Sequence, residues 1–356
     1  MKKVLCAGVC LIVLLFAGCG TNELENNAFP LAVGIDLDEG DAFQVYMAYP
    51  DLQDQNAKDN AMTTDVFWNG KAADLFAGAD EMSDSSNKNV DFNHLKVLIV
   101  DRKVLENEKT KEELIAFFEE NKDAAWNTYV MLSDGNIREI FSDGLLIGSS
   151  LGIYLEDMLE EWTNIRQKAR TTVGNLMSQY YNGNENFLAP ILTVEDAKPQ
   201  VRSFAALRDV NCASILTEEQ AYETMLLQNQ LKSFSFALDD DTRMTLHLIS
   251  AKRSIAEDAG RPVVRVRIQA VARAKNRLSL SEQEKRDLME QAERQLESRL
   301  TILAEEQQTL HGLDVTNSFL LLAGHNRGLW QIYAKNRTAY ERDIRYEIQV
   351  EISQEE

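Results

Sequence analysis

Near the end of the chain, Ile344, Tyr346, Ile348, Val350 and Ile352 alternate strictly with Arg345, Glu347, Gln349 and Glu351. Successive side chains of a strand point to opposite faces, so this pattern requires a strand with one dry face and one wet face. Val264, Val266 and Ile268 alternate in the same way with Arg265, Arg267 and Gln269. Between the two strands lies the longest helical pattern of the chain. It opens on Ser281-Glu-Gln-Glu284, a capping box, and its apolar stripe is Leu288, Ala292, Leu296, Leu300, Leu303 and Leu310. One-sided strands with a one-sided helix predict an α+β layer: an antiparallel sheet closed by 344–352, with helices on one face. A nucleotide-binding doubly wound fold is excluded, because its strands are buried on both faces.

Ser233–Leu238 and Met244–Ser250 read as further strands of this sheet, joined by a turn at Asp239-Asp240-Asp241. Thr217-Glu-Glu-Gln220 is another capping box, predicting a helix to about Lys232. The first half is more mixed. Phe29–Asp36 and Ala42–Tyr49 predict a hairpin around Asp38-Glu39-Gly40-Asp41, followed by a polar loop over Asp51–Asn60. A strand at Met62–Trp68, a helix at Lys71–Met82 and a loop at Ser83–Asn89 come next. Leu95–Val100, the helical face of Lys111–Asn121 and Trp126–Leu132 predict a parallel strand–helix–strand crossover. Helices near 137–141, 154–166 and 173–181 precede strands at Phe187–Val194 and Val201–Leu207. The polar run Glu195–Pro199 predicts a domain boundary, since proline biases its predecessor out of helix. The expected organisation is an N-terminal α/β region over 29–198, of one or two subdomains, and a C-terminal α+β domain over 199–356. The fold class is multi-domain α+β with mixed and antiparallel sheets.

The amino terminus carries an address. Met1-Lys2-Lys3 is followed by an uncharged apolar run from Val4 to Gly18, shorter than the roughly 20 residues a helix needs to cross a bilayer. A positive start, a short apolar core and small residues at the end describe an export signal over 1–18. Leu15-Phe16-Ala17-Gly18-Cys19 resembles the bacterial lipobox, in which a cysteine thiol forms the thioether to diacylglycerol. Cys19 is therefore the expected lipidation site, and 19–28 the tether to the first strand. Processing there removes Cys6 and Cys10 and leaves Cys212 as the one spare thiol. No disulfide framework remains, so the core must hold by packing. The formal charge of −20 excludes a nucleic-acid partner, which needs a basic face to displace counterions. It also means that the lipid, rather than charge attraction, must hold the body on an anionic membrane.

Chemistry-bearing patterns are sparse. There is no phosphate-binding glycine loop, no nucleophile elbow and no zinc-protease helix motif. His94, His247, His311 and His325 are scattered and show no ligand spacing. Asp36-Leu-Asp38-Glu-Gly40-Asp41 places glycine one position early for a calcium loop, so a hairpin turn is expected. Cys212 has no base assigned to it and reads as a small packed side chain. The chain is thus expected to be an exported, lipid-anchored protein that is not an enzyme, with no cofactor, metal or catalytic residue.

Taken in order, the segments resemble the Ger(x)C family of spore germination lipoproteins, the C subunits of nutrient germinant receptors. Cys19, Glu23-Leu24 and Leu31-Ala-Val-Gly-Ile-Asp36-Leu-Asp38 are similar to the family's opening. Phe92-Asn-His94-Leu-Lys-Val-Leu-Ile-Val100 resembles its His-Leu-Lys strand, and Phe204–Arg208 through Leu216–Glu219 its entry into the second half. The helix near 281–310, Gly312-Leu-Asp314 and the closing strand follow its C-terminal layout. The resemblance implies a three-domain α+β body on the outer face of the spore inner membrane. It also implies assembly with polytopic A and B subunits of a receptor, and no catalytic residue. The competing reading is an extracytoplasmic solute-binding lipoprotein of a transporter, which calls for two similar α/β lobes around a cleft.

Overall fold

In the computed structural model, which describes residues 26–38, 42–51, 65–121, 126–135, 137–165, 171–183, 185–239, 242–273 and 281–354, two large and unlike sheets and a small two-stranded one share one body. The first half runs β1 (Asn27–Ala28), β2 (Ala32–Leu37), β3 (Phe43–Pro50), β4 (Asp65–Ala72), α1 (Leu75–Ser86), β5 (Asn89–Val90) and β6 (Val97–Asp101). It continues through α2 (Arg102–Glu106), α3 (Glu108–Glu120), β7 (Tyr129–Ser133), α4 (Ile137–Ile140), α5 (Leu151–Ile165), α6 (Val173–Asn182) and β8 (Phe187–Glu195). Then follow β9 (Lys198–Arg208), β10 (Asn211–Thr217) and α7 (Glu218–Leu227). The eight-stranded sheet has the order β10-β9-β8-β7-β6-β2-β3-β4. Its central pairs β2–β6, β6–β7 and β7–β8 are parallel, and its flanks β2–β3, β3–β4, β8–β9 and β9–β10 antiparallel.

Every residue of β6 and β7 is buried, which explains their unbroken apolar runs: parallel strands in a sheet covered on both faces show no alternation. On one face Leu75 and Met82 of α1, Leu114 and Phe117 of α3, and Leu176 of α6 pack against Val33, Leu98 and Val130. On the other, Ile137 and Ile140 of α4 and Leu151 and Leu155 of α5 cover Ile99 and Met131. Gly34 is what lets α4 approach β2. A Cβ there would lie 2.6 Å from Phe141 Cε2 and 2.8 Å from Ile137 Cγ2, closer than packed carbons tolerate.

The second half consists of β11 (Ser233–Ala237), β12 (Arg243–Asp258), β13 (Arg261–Arg273), α8 (Glu282–His311), α9 (Phe319–His325), α10 (Arg327–Tyr333), α11 (Arg337–Asp343) and β14 (Arg345–Gln354). The sheet order is β11-β12-β13-β14. Ala292, Leu296, Leu300 and Ala304 of α8 pack on its inner face against Val266, Ile268, Val350 and Ile352. The capping boxes expected at Thr217 and Ser281 are both present. Leu310, expected on the stripe of α8, is instead 66% exposed.

The expected antiparallel closure of this sheet is corrected by β14, which pairs parallel to β13 from Val263↔Arg345 to Ala272↔Gln354. The chain crosses back from the end of β13 to its start through α8 and the three short helices α9, α10 and α11, so the next strand runs the same way. β12 also extends past the expected end at Ser250 to Asp258. A bulge between His247 and Ser250, with Leu248 at φ 53°, shifts the phase of alternation there and hides the continuity of the strand. Helix α1 likewise runs through Ser83–Ser86, which the sequence assigns to a loop. The turn at 39–41 and the expected loop over 52–60 lie outside the described residues, as does the start of the strand expected at 62–68.

The division expected at 198/199 falls inside a β-hairpin. β8 and β9 pair up to Glu195↔Lys198, and Asp196 and Ala197 make the turn at φ 51° and 58°. β9 and β10 thus belong to the eight-stranded sheet, while Phe204, Ala206 and Leu216 on their far face join the core of the second half.

Candidate functional site

Cys19 lies outside the described residues. Cys212 sits on β10, half-buried, with its Sγ 3.7 Å from the carbonyl oxygen of Ser214. Burial pushes its thiol above the ordinary value, and Arg102 beside it opposes that shift without cancelling it. A thiol held protonated is a poor nucleophile. The four histidines stand on separate elements. His94 is exposed and edge-on to Phe29 at 5.3 Å. His247 lies 3.3 Å through Nδ1 from Ser233 Oγ on the neighbouring strand, and His311 and His325 end α8 and α9. Among the described residues, no group of three or more His, Cys, Asp or Glu side chains is arranged to hold a metal ion. Asp38 pairs with Lys71.

What the structure does bring together is a buried polar junction between the two halves. Asp314, 1% exposed, receives five donors: the Thr316 and Ser318 amides at 2.9 and 2.6 Å, their hydroxyls at 2.5 and 2.6 Å, and the Tyr346 hydroxyl at 3.4 Å. The Ser318 hydroxyl is also 2.8 Å from that of Tyr340, whose own proton burial makes harder to lose. This folded knot presents Asn317 to the loop before β8. Its side chain accepts from the Asn186 amide at 2.8 Å and donates to the Asn186 carbonyl at 2.9 Å, and Asn186 Nδ2 donates to the Asp314 carbonyl at 3.0 Å.

Two arginines complete the junction. Arg337 donates to the Gly183 carbonyl, to Asn186 Oδ1 at 2.5 Å and to Glu341 Oε1 at 2.9 Å. Arg208, from β9, donates to the Gly312 carbonyl at 3.1 Å and lies 2.9 Å from Glu341 Oε2. Burial pushes the Glu341 carboxyl up, and the two guanidiniums pull it back. Chemically, the arrangement couples two bodies rigidly. It offers neither a nucleophile with its base nor an open position for substrate. Of these residues Asp314, Gly312, Arg208 and Tyr346 belong to segments singled out from sequence, none of them as part of a site. Asn186, Asn317, Arg337 and Glu341 carry no local signal, because their partners lie far off along the chain.

Nor do the described residues show two matching lobes around a cleft, since the two sheets differ in strand number and order. Among them, no helix is long and apolar enough to cross a membrane.

Comparison with known proteins covers nearly the whole chain. Residues 20–194 match the family described as spore germination protein N-terminal domain. Residues 203–355 match the family described as spore germination B3/GerAC like, C-terminal. No curated protein sequence matches. The crystal structure of the GerBC protein superposes on 94% of this chain and 100% of its own, with TM-score 0.60 and 12% identity, so the likeness is one of fold.

Proposed function

Because the chain belongs to the Ger(x)C family of spore germination proteins, we propose that it is the lipid-anchored C subunit of a nutrient germinant receptor. It acts by protein–protein contact with the polytopic A and B subunits, on the outer face of the spore inner membrane. The observation that carries this reading is the tandem match of both family domains over 20–194 and 203–355. The match begins at the residue after Cys19, where processing at the lipobox-like sequence would leave the mature terminus. Two or more acyl chains give a stable anchor, at about 0.8 kcal/mol per buried methylene. The rigid junction at Asp314 and Asn317 suits a subunit that presents surfaces, with no reaction assigned to it.

Two measurements test the parts separately. Spores of a strain lacking the gene should fail to germinate with at least one nutrient, and normal germination with every nutrient, in a strain without paralogues, would overturn the receptor role. A Cys19→Ala variant should lose incorporation of labelled palmitate and leave the membrane fraction. Retention on the membrane without label would sink the anchor.

A further inference from the structure

The outer face of the C-terminal sheet runs against the charge of the chain. In a molecule of formal charge −20, this face presents Arg243, Lys252, Arg261, Arg265, Arg267 and Arg345 as exposed side chains. Its carboxylates on the same strand positions are Asp258, Glu347 and Glu351. The register gathers the cations at the centre. Lys252 stands opposite Arg267, which stands opposite Gln349, while Ser254, Arg265 and Glu347 form the next row.

Each carboxylate is already engaged: Glu347 by Arg265 at 2.6 Å, Glu351 by Arg267 at 3.6 Å and Asp258 by Arg345 at 3.5 Å. Among the described residues Lys252 makes no ion pair, and it directly faces another cation across the strands. Like charges so placed destabilise a sheet, so the fold carries a local repulsion that a neutral residue would remove. Lys252, Arg265 and Arg267 line, together with Glu347 and Gln349, a solvent-open groove of about 1010 Å³, and a concave surface with an excess of one sign focuses its potential on what enters it.

We propose that this groove docks an extended acidic segment of a partner protein, its carboxylates seated over Lys252, Arg265 and Arg267. Arg265 and Arg267 are two positions apart on one strand, about 6.6–6.8 Å, which is also the spacing of alternate side chains in an extended peptide. A continuous anionic bilayer fits less well. It would be repelled by the acidic body as a whole and by Glu347 and Glu351 within the patch, whereas a peptide can place charge only where the cations are. The proposal rests on this face alone and is independent of the germination role.

The test uses the full-length protein in non-ionic detergent and a fluorescein-labelled peptide of alternating Glu and Thr. Fluorescence anisotropy should show saturable binding that weakens with added salt. Both Lys252→Glu/Arg267→Glu and the milder Lys252→Gln/Arg267→Gln should weaken it by at least about tenfold, and Lys109→Glu on the distant helix α3 should leave it unchanged. Circular dichroism confirms that each variant is folded. No saturable binding at low salt, or equal loss in the Lys109 control, would overturn the proposal. So would binding to phosphatidylglycerol vesicles that depends on Lys252 and Arg267 while the peptide does not bind.

Discussion

Asp314 shows how one side chain can organise a junction without being visible as a site. A carboxylate buried in protein is costly unless donors surround it, and here five converge on it from Thr316, Ser318 and Tyr346. Replacing it with alanine strands those donors, so Asp314→Ala should destabilise the protein by about 3–5 kcal/mol. Urea denaturation followed by circular dichroism measures this, and a loss below about 1 kcal/mol would show that water replaces the carboxylate. Cys212 gives a prediction with a sign in pH. Its thiol is raised by burial, so the reactive thiolate is scarcer at a given pH than in the unfolded chain, whose thiols titrate near about 8.5. In protein lacking the other cysteines, iodoacetamide should label native Cys212 more slowly than denatured Cys212 at neutral and mildly alkaline pH. The native rate should rise toward the denatured one only when the pH passes the raised value. Equal rates near pH 8 would contradict the burial.

At the scale of elements, α8 does more than cover the inner face of the C-terminal sheet. Glu297 and Glu293, one helical turn apart, accept the amides of Val350 and Ile352 at 2.8 and 2.7 Å. These amides belong to β14, the edge strand, and an open edge invites pairing with another chain. The helix thus caps the sheet edge with carboxylates. Glu293→Ala with Glu297→Ala should cost about 0.5–1.5 kcal/mol per bond and produce association that grows with protein concentration. Analytical ultracentrifugation decides the matter, and a strictly monomeric double variant would show the edge to be protected by other means. Much at this scale was legible. The capping boxes at Thr217 and Ser281 mark true helix starts, because a helix N-terminus needs local acceptors for its free amides. Alternation gave the wet faces of β13 and β14 correctly. The direction of β14 was not legible, since a one-sided strand has the same pattern in either orientation.

In the whole molecule, the two halves are joined by more than a linker. β9 and β10 complete the first sheet while Phe204, Ala206 and Leu216 enter the core of the second body. A fragment spanning 199–356 lacks β8, leaves β9 as a bare edge and deprives Arg337 of Gly183 and Asn186. It should show no cooperative urea transition and should self-associate, in contrast to the chain from residue 20 onward. A sharp transition of a monomeric fragment would establish 199–356 as a folding unit. Sequence by itself determined what depends on neighbours along the chain: helix starts, one-sided strands, the strand–helix–strand crossover of β6, α3 and β7, and the family resemblance that the domain matches support. A motif read as a linear string also raises the expectation of lipid on Cys19, which lies outside the described residues. The tertiary structure decided the parallel return of β14, the sharing of β9 and β10 between two cores, and the meeting of Asn186 with Asn317. Those follow from where the chain comes back in space, and no local periodicity encodes a contact whose two sides lie in opposite halves of the molecule.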